Sequence, residues 1–413
     1  PAKHLWHAHR ALGDEDVNGY RCFACNETQT ADFSGCVCPA CGGNLDVQNE
    51  PDTILEQIRR SPFDTARIPL QIGNTPLYAA DRLGQLVGLR NLFLKDDSVN
   101  PSASSKDRAS AAAVLRALDV GAGTVAVAST GNAGSSLACV AAAAGIQAVV
   151  LVPADAPVAK LIQALSFGAS VLAVQGSYDD AFDLCLAASE EFGWFNRSTG
   201  VNPFTREGKK VCAWEIWASL EGRVPDRIVV PTGDGNILSG MWKGWRELKQ
   251  VGLIDRMPKI DCVQSAGSDA ISRTVRAIDR NADLDWARVE VAAVDAQTVA
   301  DSISVDRPRD GLAAVRAVVE SGGEAITVSD DAILSAIPEI ASHTGIFAEP
   351  AAAAPWAGVR KLVEENRIDA DETIVCLVTG SGLKDIAGAR AVAGEPRLIR
   401  PDLDALRDAL ARY

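Results

Sequence analysis

Histidine is nearly absent from this 413-residue chain. There are four, and His4, His7 and His9 fall in the first ten residues, which leaves His343 as the only one elsewhere. That scarcity argues against a Ser-His-Asp hydrolase and against a catalytic metal site built on histidine. Basic runs are missing too: 40 Lys and Arg stand against 54 Asp and Glu, a net charge of -14. Such a chain is repelled by nucleic acid and by anionic membranes, so small molecules are the expected partners. The N-terminal PAKHLWHAHRALGDED lacks the apolar core of a secretory signal, and no lipidation motif stands out; the expected location is cytoplasmic. The one long uncharged segment, Val120 to Ala154, is interrupted by Gly, Ser, Thr and Asn, which suits strand-helix-strand better than a membrane span.

What is present divides into three segments. At 47% hydrophobic the chain can bury the cores of two ordinary domains and a small appendage. Five of its ten cysteines lie in CFACNETQTADFSGCVCPACGG. Cys22-x2-Cys25, twelve residues, then Cys38-x2-Cys41 gives two thiolate pairs on tight knuckles, the spacing of a four-sulfur zinc ribbon. Four sulfurs close the coordination sphere, so such a zinc is structural. Cys36 is spare. Cys139, Cys185, Cys212, Cys262 and Cys376 stand singly in apolar surroundings and read as small core residues.

From about residue 69, β-branched runs alternate with alanine-rich helical stretches. TVAVA (124–128), AVVLVP (148–153), SVLAV (170–174), RIVVP (227–231) and TIVCLVTG (373–380) read as strands. Helices are expected over Ala133–Ala144, Val158–Phe167, Tyr178–Glu191 and Leu238–Gln250. Alternation of this kind means α/β architecture with parallel sheets and crossover helices. With no low-complexity linker, a two-domain division is expected to be discontinuous.

Ligands in parallel α/β sheets settle at the carboxyl ends of strands. Two loops there are rich in small residues and each opens a helix: Ser129-Thr130-Gly131-Asn132 and Thr232-Gly233-Asp234-Gly235-Asn236. Their amides can converge on a phosphate or carboxylate, although a glycine-rich turn alone is more often packing. Neither fits G-x-G-x-x-G or the P-loop pattern.

Taken together, IGNTPL (72–77), NPSASSKDR (100–108), ASTGNAGSSLA (128–138), VNPFTREGKK (201–210), PTGDGN (231–236), GIFAEPAAA (345–353) and VTGSGLKD (378–385) resemble the threonine synthase family of fold-type II enzymes that use pyridoxal 5'-phosphate. The resemblance implies a two-domain fold like the tryptophan synthase β subunit: a zinc-ribbon extension over 1–49, a large cofactor-binding domain from 50–103 and 205–413, and a small domain over 104–204. It also implies a homodimer acting on a small amino acid substrate. Lys106 would bond to the cofactor, with Asn132 at its ring hydroxyl, Gly233, Asp234, Gly235 and Asn236 at its phosphate and Thr379 at its pyridine nitrogen. Ser129 and Thr130 would receive the substrate carboxylate, and Glu349 falls in a motif position of its own. Without the other motifs, Lys106 reads as a solvated lysine in a first helical turn beside Asp107 and Arg108.

Three departures surround the substrate end of this pattern. The usual SFKDRG has Ser105 in place of Phe and Ala109 in place of the last Gly, and Ser381 stands where His or Asn is common. Thr205 occupies the position of an arginine that holds the phosphate of O-phosphohomoserine, with Arg206 next to it as a replacement by register change. Loss of a charge-assisted contact is worth about 1.5–3 kcal/mol. On this ground the expected activity is a lyase that eliminates from a 3-hydroxy amino acid to give a 2-oxo acid and ammonia. The alternatives are threonine synthase itself and β-replacement on an O-phosphoserine-like substrate.

Overall fold

The computed structural model describes residues 17–411 except 34, 61, 62, 64 and 281, so His4, His7 and His9 and the first sixteen residues of the extension lie outside the described residues. Strands β1 (Gly19–Cys22), β2 (Thr28–Gln29) and β3 (Leu45–Gln48) form a small antiparallel sheet in the order β2-β1-β3. The two cysteine knuckles flank it. Tyr20, Leu45 and Val47 are buried in one cluster with Phe204 and Ala112 of the main body, so the extension has a core only by sharing one.

The chain enters the main body through β4 (Leu77–Ala79) and β5 (Asn91–Asp96), then leaves them to build a second sheet from β6 (Thr124–Ala128), β7 (Gln147–Pro153), β8 (Ser170–Val174) and β9 (Phe195–Asn196). It returns with β10 (Arg227–Pro231), β11 (Lys259–Ser265), β12 (Ala325–Val328) and β13 (Thr373–Val378). The larger sheet runs β12-β11-β10-β13-β5-β4 and the smaller β8-β7-β6-β9. Every pairing within these two sheets is parallel except β4 with β5. Parallel sheets are covered on both faces by their crossover helices, which is why β10 is buried at all five residues. The segment from Val120 to Ala154 is β6, a helix over Asn132–Ala144 and β7; among the described residues no helix is long and apolar enough to cross a membrane.

All five strands expected from the sequence form, and the last stops at Val378, before its Thr-Gly turn. The four expected helices span Asn132–Ala144, Val158–Ser166, Tyr178–Phe192 and Asn236–Gln250. The fourth starts two residues before Leu238 because Gly235, at φ +91°, turns the chain directly into it. The carboxyl ends of β6, β9, β10 and β13 face one cavity.

Candidate active site

A cavity of about 950 Å³ lies where those strand ends meet, and Lys106 is on its wall. Lys106 is the first residue of a helix over Lys106–Asp119, and the loop before it is stitched to the end of β13: the Ser105 amide donates to the Thr379 carbonyl at 2.8 Å, and Ser104 bridges Gly380. The next two residues anchor the helix from below. Asp107 accepts from the Ser102 amide at 2.7 Å, while Arg108 donates to Asp97 at 2.8 Å and to both oxygens of Glu215 at 2.7 Å. Lys95 completes the cluster at 2.6 Å from Glu215. Asp107 and Arg108 are buried, so the triplet is no solvated helix start. Gly208 allows the helix over Phe204–Ser219 to press against it, since a Cβ there would meet the Arg108 carbonyl oxygen at 1.9 Å.

The lysine amine makes no hydrogen bond among the described residues. Burial lowers its pKa and Arg197 lowers it further, with Glu349 and Asp234 opposing. A neutral, accessible amine is what a nucleophile or base at this position needs. Opposite stands Asn132, whose amide donates to both carboxylate oxygens of Glu349 at 3.1 Å and to Ser302 at 3.2 Å. Glu349 is buried, and its carboxyl is pushed up chiefly by desolvation.

Across the cavity, Gly233 to Asn236 form the turn into the helix over Asn236–Gln250, whose N-terminal dipole favours an anion. A Cβ on Gly233 would come within 2.9 Å of the Ile303 Cα, and one on Gly235 within 2.6 Å of the Ala314 Cβ. The Asp234 carboxylate, awkward beside a phosphate, accepts from the Arg309 amide at 3.1 Å. Burial holds its pKa up.

Of the residues expected at the site, Lys106, Ser129, Thr130, Asn132, Gly233, Asp234, Gly235, Asn236 and Thr379 line this one cavity. Ser105, Thr205 and Ser381 are not among the lining residues. Ser105 is buried with its hydroxyl unpartnered. Thr205 donates to the Asn202 carbonyl at 2.8 Å and accepts from Asn236 at 3.2 Å. Ser381 caps a short helical turn by accepting from the Leu383 amide at 3.3 Å. The replacement of the missing arginine by Arg206 fails: Arg206 turns away, pairing with Asp46 at 3.3 Å and with Asp310, its guanidinium 4.4 Å from the centre of the Phe23 ring. One residue further along a helix is about 100° around it, so adjacent side chains do not face the same way.

Two buried cations in the cavity wall escaped the sequence reading. Lys209 lies one turn beyond Thr205 and donates to Asn236 Oδ1 at 2.6 Å; burial, then Lys106 and Arg197, holds its pKa well below that of an ordinary lysine. Arg197 follows β9 directly. The i to i+4 spacing from Thr205 and the position after a strand end were the signals available for them.

In the extension, Cys22, Cys25, Cys38 and Cys41 point at one another, with their sulfurs all within 4.8 Å and neighbouring pairs at 3.4–3.6 Å. The other five cysteines of the main body are buried and unpaired.

Comparison with known proteins agrees with this geometry. Residues 68–380 match the model of a family described as pyridoxal-phosphate dependent enzyme. The chain is 36% identical over 407 residues to a threonine synthase of Methanosarcina acetivorans, covering 94% of this chain and 98% of that protein. To a threonine synthase of Methanocaldococcus jannaschii it is 35% identical over 409 residues, with the same coverage. Among solved structures, the processed threonine deaminase isoform 2 of Solanum lycopersicum superposes with a TM-score of 0.66 at 19% identity, over 83% of this chain and 92% of that one. Maize serine racemase gives 0.64 at 19% identity, over 88% and 97%. The match to relatives along nearly the whole chain, joined to a lysine that shares its cavity with a glycine-lined helix start, places the protein: it is an enzyme of the threonine synthase family of pyridoxal-phosphate dependent enzymes.

Proposed function

We propose that the enzyme catalyses the threonine synthase reaction, converting an O-phosphorylated homoserine and water to threonine and phosphate. The single observation carrying this reading over 3-hydroxy amino acid dehydration is Arg197, buried in the cavity wall with both terminal amino groups of its guanidinium free of any hydrogen-bond partner. A hydroxyl on the substrate side chain would leave that buried guanidinium without a counter-charge, whereas a substrate phosphate would supply one. Relatives of nearly equal length support the same choice. Thr205 removed one cation from the site, and two others stand there.

The residues present fit pyridoxal phosphate. Gly233, Asp234, Gly235 and Asn236 offer amides at a helix N-terminus, Lys209 adds an amine under the same loop, and Asn132 and Thr379 would present polar atoms to the ring. When bound, the cofactor supplies an electron sink for the α-carbon. Lys106 takes and returns the α-proton, and the depression of its pKa keeps part of the amine in the basic form below the ordinary lysine range. Ser129 and Thr130 with their loop amides orient the substrate carboxylate. The phosphate oxygen leaves Cγ with its bonding electrons as inorganic phosphate while Cβ gives up a proton, water then delivers a hydroxyl to Cβ, and a proton delivered to Cγ completes the methyl group. A hydroxyl at Thr379, in place of a carboxylate, would leave the ring nitrogen of a bound cofactor unprotonated, which suits elimination better than transamination.

The test compares products from one enzyme preparation. O-phospho-L-homoserine should yield phosphate and threonine in equal amounts, with much slower 2-oxo acid formation from L-serine, L-threonine or other 3-hydroxy amino acids. Efficient 2-oxo acid release without phosphate turnover would restore the dehydratase reading.

For the extension, Cys22, Cys25, Cys38 and Cys41 are proposed to hold one structural zinc. The sulfur separations suit a tetrahedron with Zn–S near 2.3 Å, whose edges are about 3.8 Å. Metal analysis should find about one zinc per chain, and serine at any one of the four positions should lower that content; a metal-free protein of unchanged thermal stability would contradict the assignment.

A further inference from the structure

Arg197 is fully buried, yet both terminal amino groups of its guanidinium lack a hydrogen-bond partner. It forms no ion pair among the described residues. A buried cation left in this way is costly by several kcal/mol, so a partner is expected. The side chain is also held in place. Its amide donates to the Ala126 carbonyl at 2.8 Å, and its Nε donates to Ser110 at 3.2 Å, with Ser136 donating to Ser110 at 2.7 Å. Ser110 belongs to the helix that starts at Lys106 and Ser136 to the helix that starts at Asn132, so the free fork is aimed by the two helices that carry the site. The nearest carboxylate of opposite sign on those helices, Asp107, is already occupied by the amide and hydroxyl of Ser102.

Two other cavity cations are engaged differently, and a further arginine of the lining, Arg307, is exposed. Lys209 donates to Asn236 on the glycine loop, and Arg309 pairs with Asp179 at 2.8 Å. The glycine loop ends β10 of the larger sheet, while Arg197 ends β9 of the smaller one. The cavity therefore has two anion stations on two sheets.

We infer that Arg197 is the specificity residue for the substrate, its two free amino groups receiving a tetrahedral oxyanion on the amino acid side chain, with phosphate the intended group. A planar fork matches two phosphate oxygens at once, which a hydroxyl side chain cannot satisfy. Position 197 thus does what an arginine at 205 would do in the sequence pattern that this chain departs from. The inference rests on the reading of Lys106 and the glycine loop as the cofactor site, and it narrows the substrate of that site to amino acids with an anionic leaving group.

The test uses the holoenzyme with two probes, inorganic phosphate and L-threonine, titrated by calorimetry into the parent protein, Arg197→Met and Arg197→Lys. Phosphate binding should weaken about 10- to 100-fold in Arg197→Met and by less in Arg197→Lys, since charge survives there without the fork. L-threonine affinity and the absorption band of the bound cofactor should stay as in the parent. Cofactor loss in step with phosphate binding would overturn the inference by giving Arg197 to the cofactor phosphate. Equal weakening of L-threonine would overturn it by giving Arg197 to the α-carboxylate, and unchanged phosphate binding in both variants would overturn it outright. Should Arg197→Met not fold, Arg197→Lys alone decides by the same comparison. Arg197-dependent phosphate binding in an enzyme that does not turn over O-phosphohomoserine would remove only the named substrate and leave the inference standing.

Discussion

Lys106→Ala should abolish turnover, by at least about 10³-fold, if Lys106 is the base and the cofactor's attachment point as proposed, because general base catalysis alone contributes roughly 10² to 10⁴. The same variant should lose the absorption band of the bound cofactor while keeping the thermal stability of the parent's cofactor-free form. The structural reason for that separation is that nothing in the fold hangs from the lysine amine. Asp107 and Arg108 carry the anchoring, through Ser102, Asp97 and Glu215, and they are untouched by the substitution. A variant that kept more than a few per cent of the parent rate, measured as phosphate release, would move the chemistry elsewhere.

Arg206→Ala should produce a large loss of stability, about 3–5 kcal/mol by chemical denaturation, as expected when one member of a buried ion pair is removed. Arg206 joins three parts of the molecule. One amino group donates to the Leu45 carbonyl at 3.0 Å and to Asp46 of the extension, the other reaches Asp310, and Nε donates to Ser239 at 3.2 Å. Asp310 in turn accepts from Ser239 at 2.6 Å and Asn236 at 3.0 Å, and its amide donates to the Asp234 carbonyl at 2.9 Å. Asn44 of the extension also donates to Asp310 at 3.0 Å. The extension therefore grips the back of the glycine loop through Arg206 and Asp310. Arg206→Ala should loosen cofactor affinity as well as stability, although the residue does not line the cavity; stability loss with cofactor affinity unchanged would break that link.

Much of this was legible beforehand because periodicity and motif order report on backbone. Strand positions followed from β-branched runs, nearly all buried in β6, β10 and β13, and nine of the expected site residues meet in one cavity because each sits on a strand end or a helix start, where sequence spacing fixes location. What stayed illegible depended on side-chain direction and on contacts between distant segments. Arg206 reads as a neighbour of Thr205, yet a turn of about 100° sends it to Asp46 and Asp310, 160 and 104 residues away along the chain. Arg197 carries no motif at all. Its character comes from full burial without a partner, a property of packing around residues 110, 126 and 136 that no local pattern encodes. Likewise, Asp107 and Arg108 look like ordinary first-turn charges until Ser102, Asp97 and Glu215 are brought beneath them.

Two lysines share the cavity, Lys106 and Lys209, and both have depressed pKa values, so attachment of the cofactor can be read out directly. Lys209 is already committed to Asn236 at 2.6 Å, whereas the Lys106 amine is free of such a bond. Borohydride reduction of the holoenzyme followed by peptide mapping should find the cofactor fixed on the peptide that contains Lys106 and on no other. Recovery of the label on Lys209, or of no label from a protein that retains its cofactor band, would contradict the account.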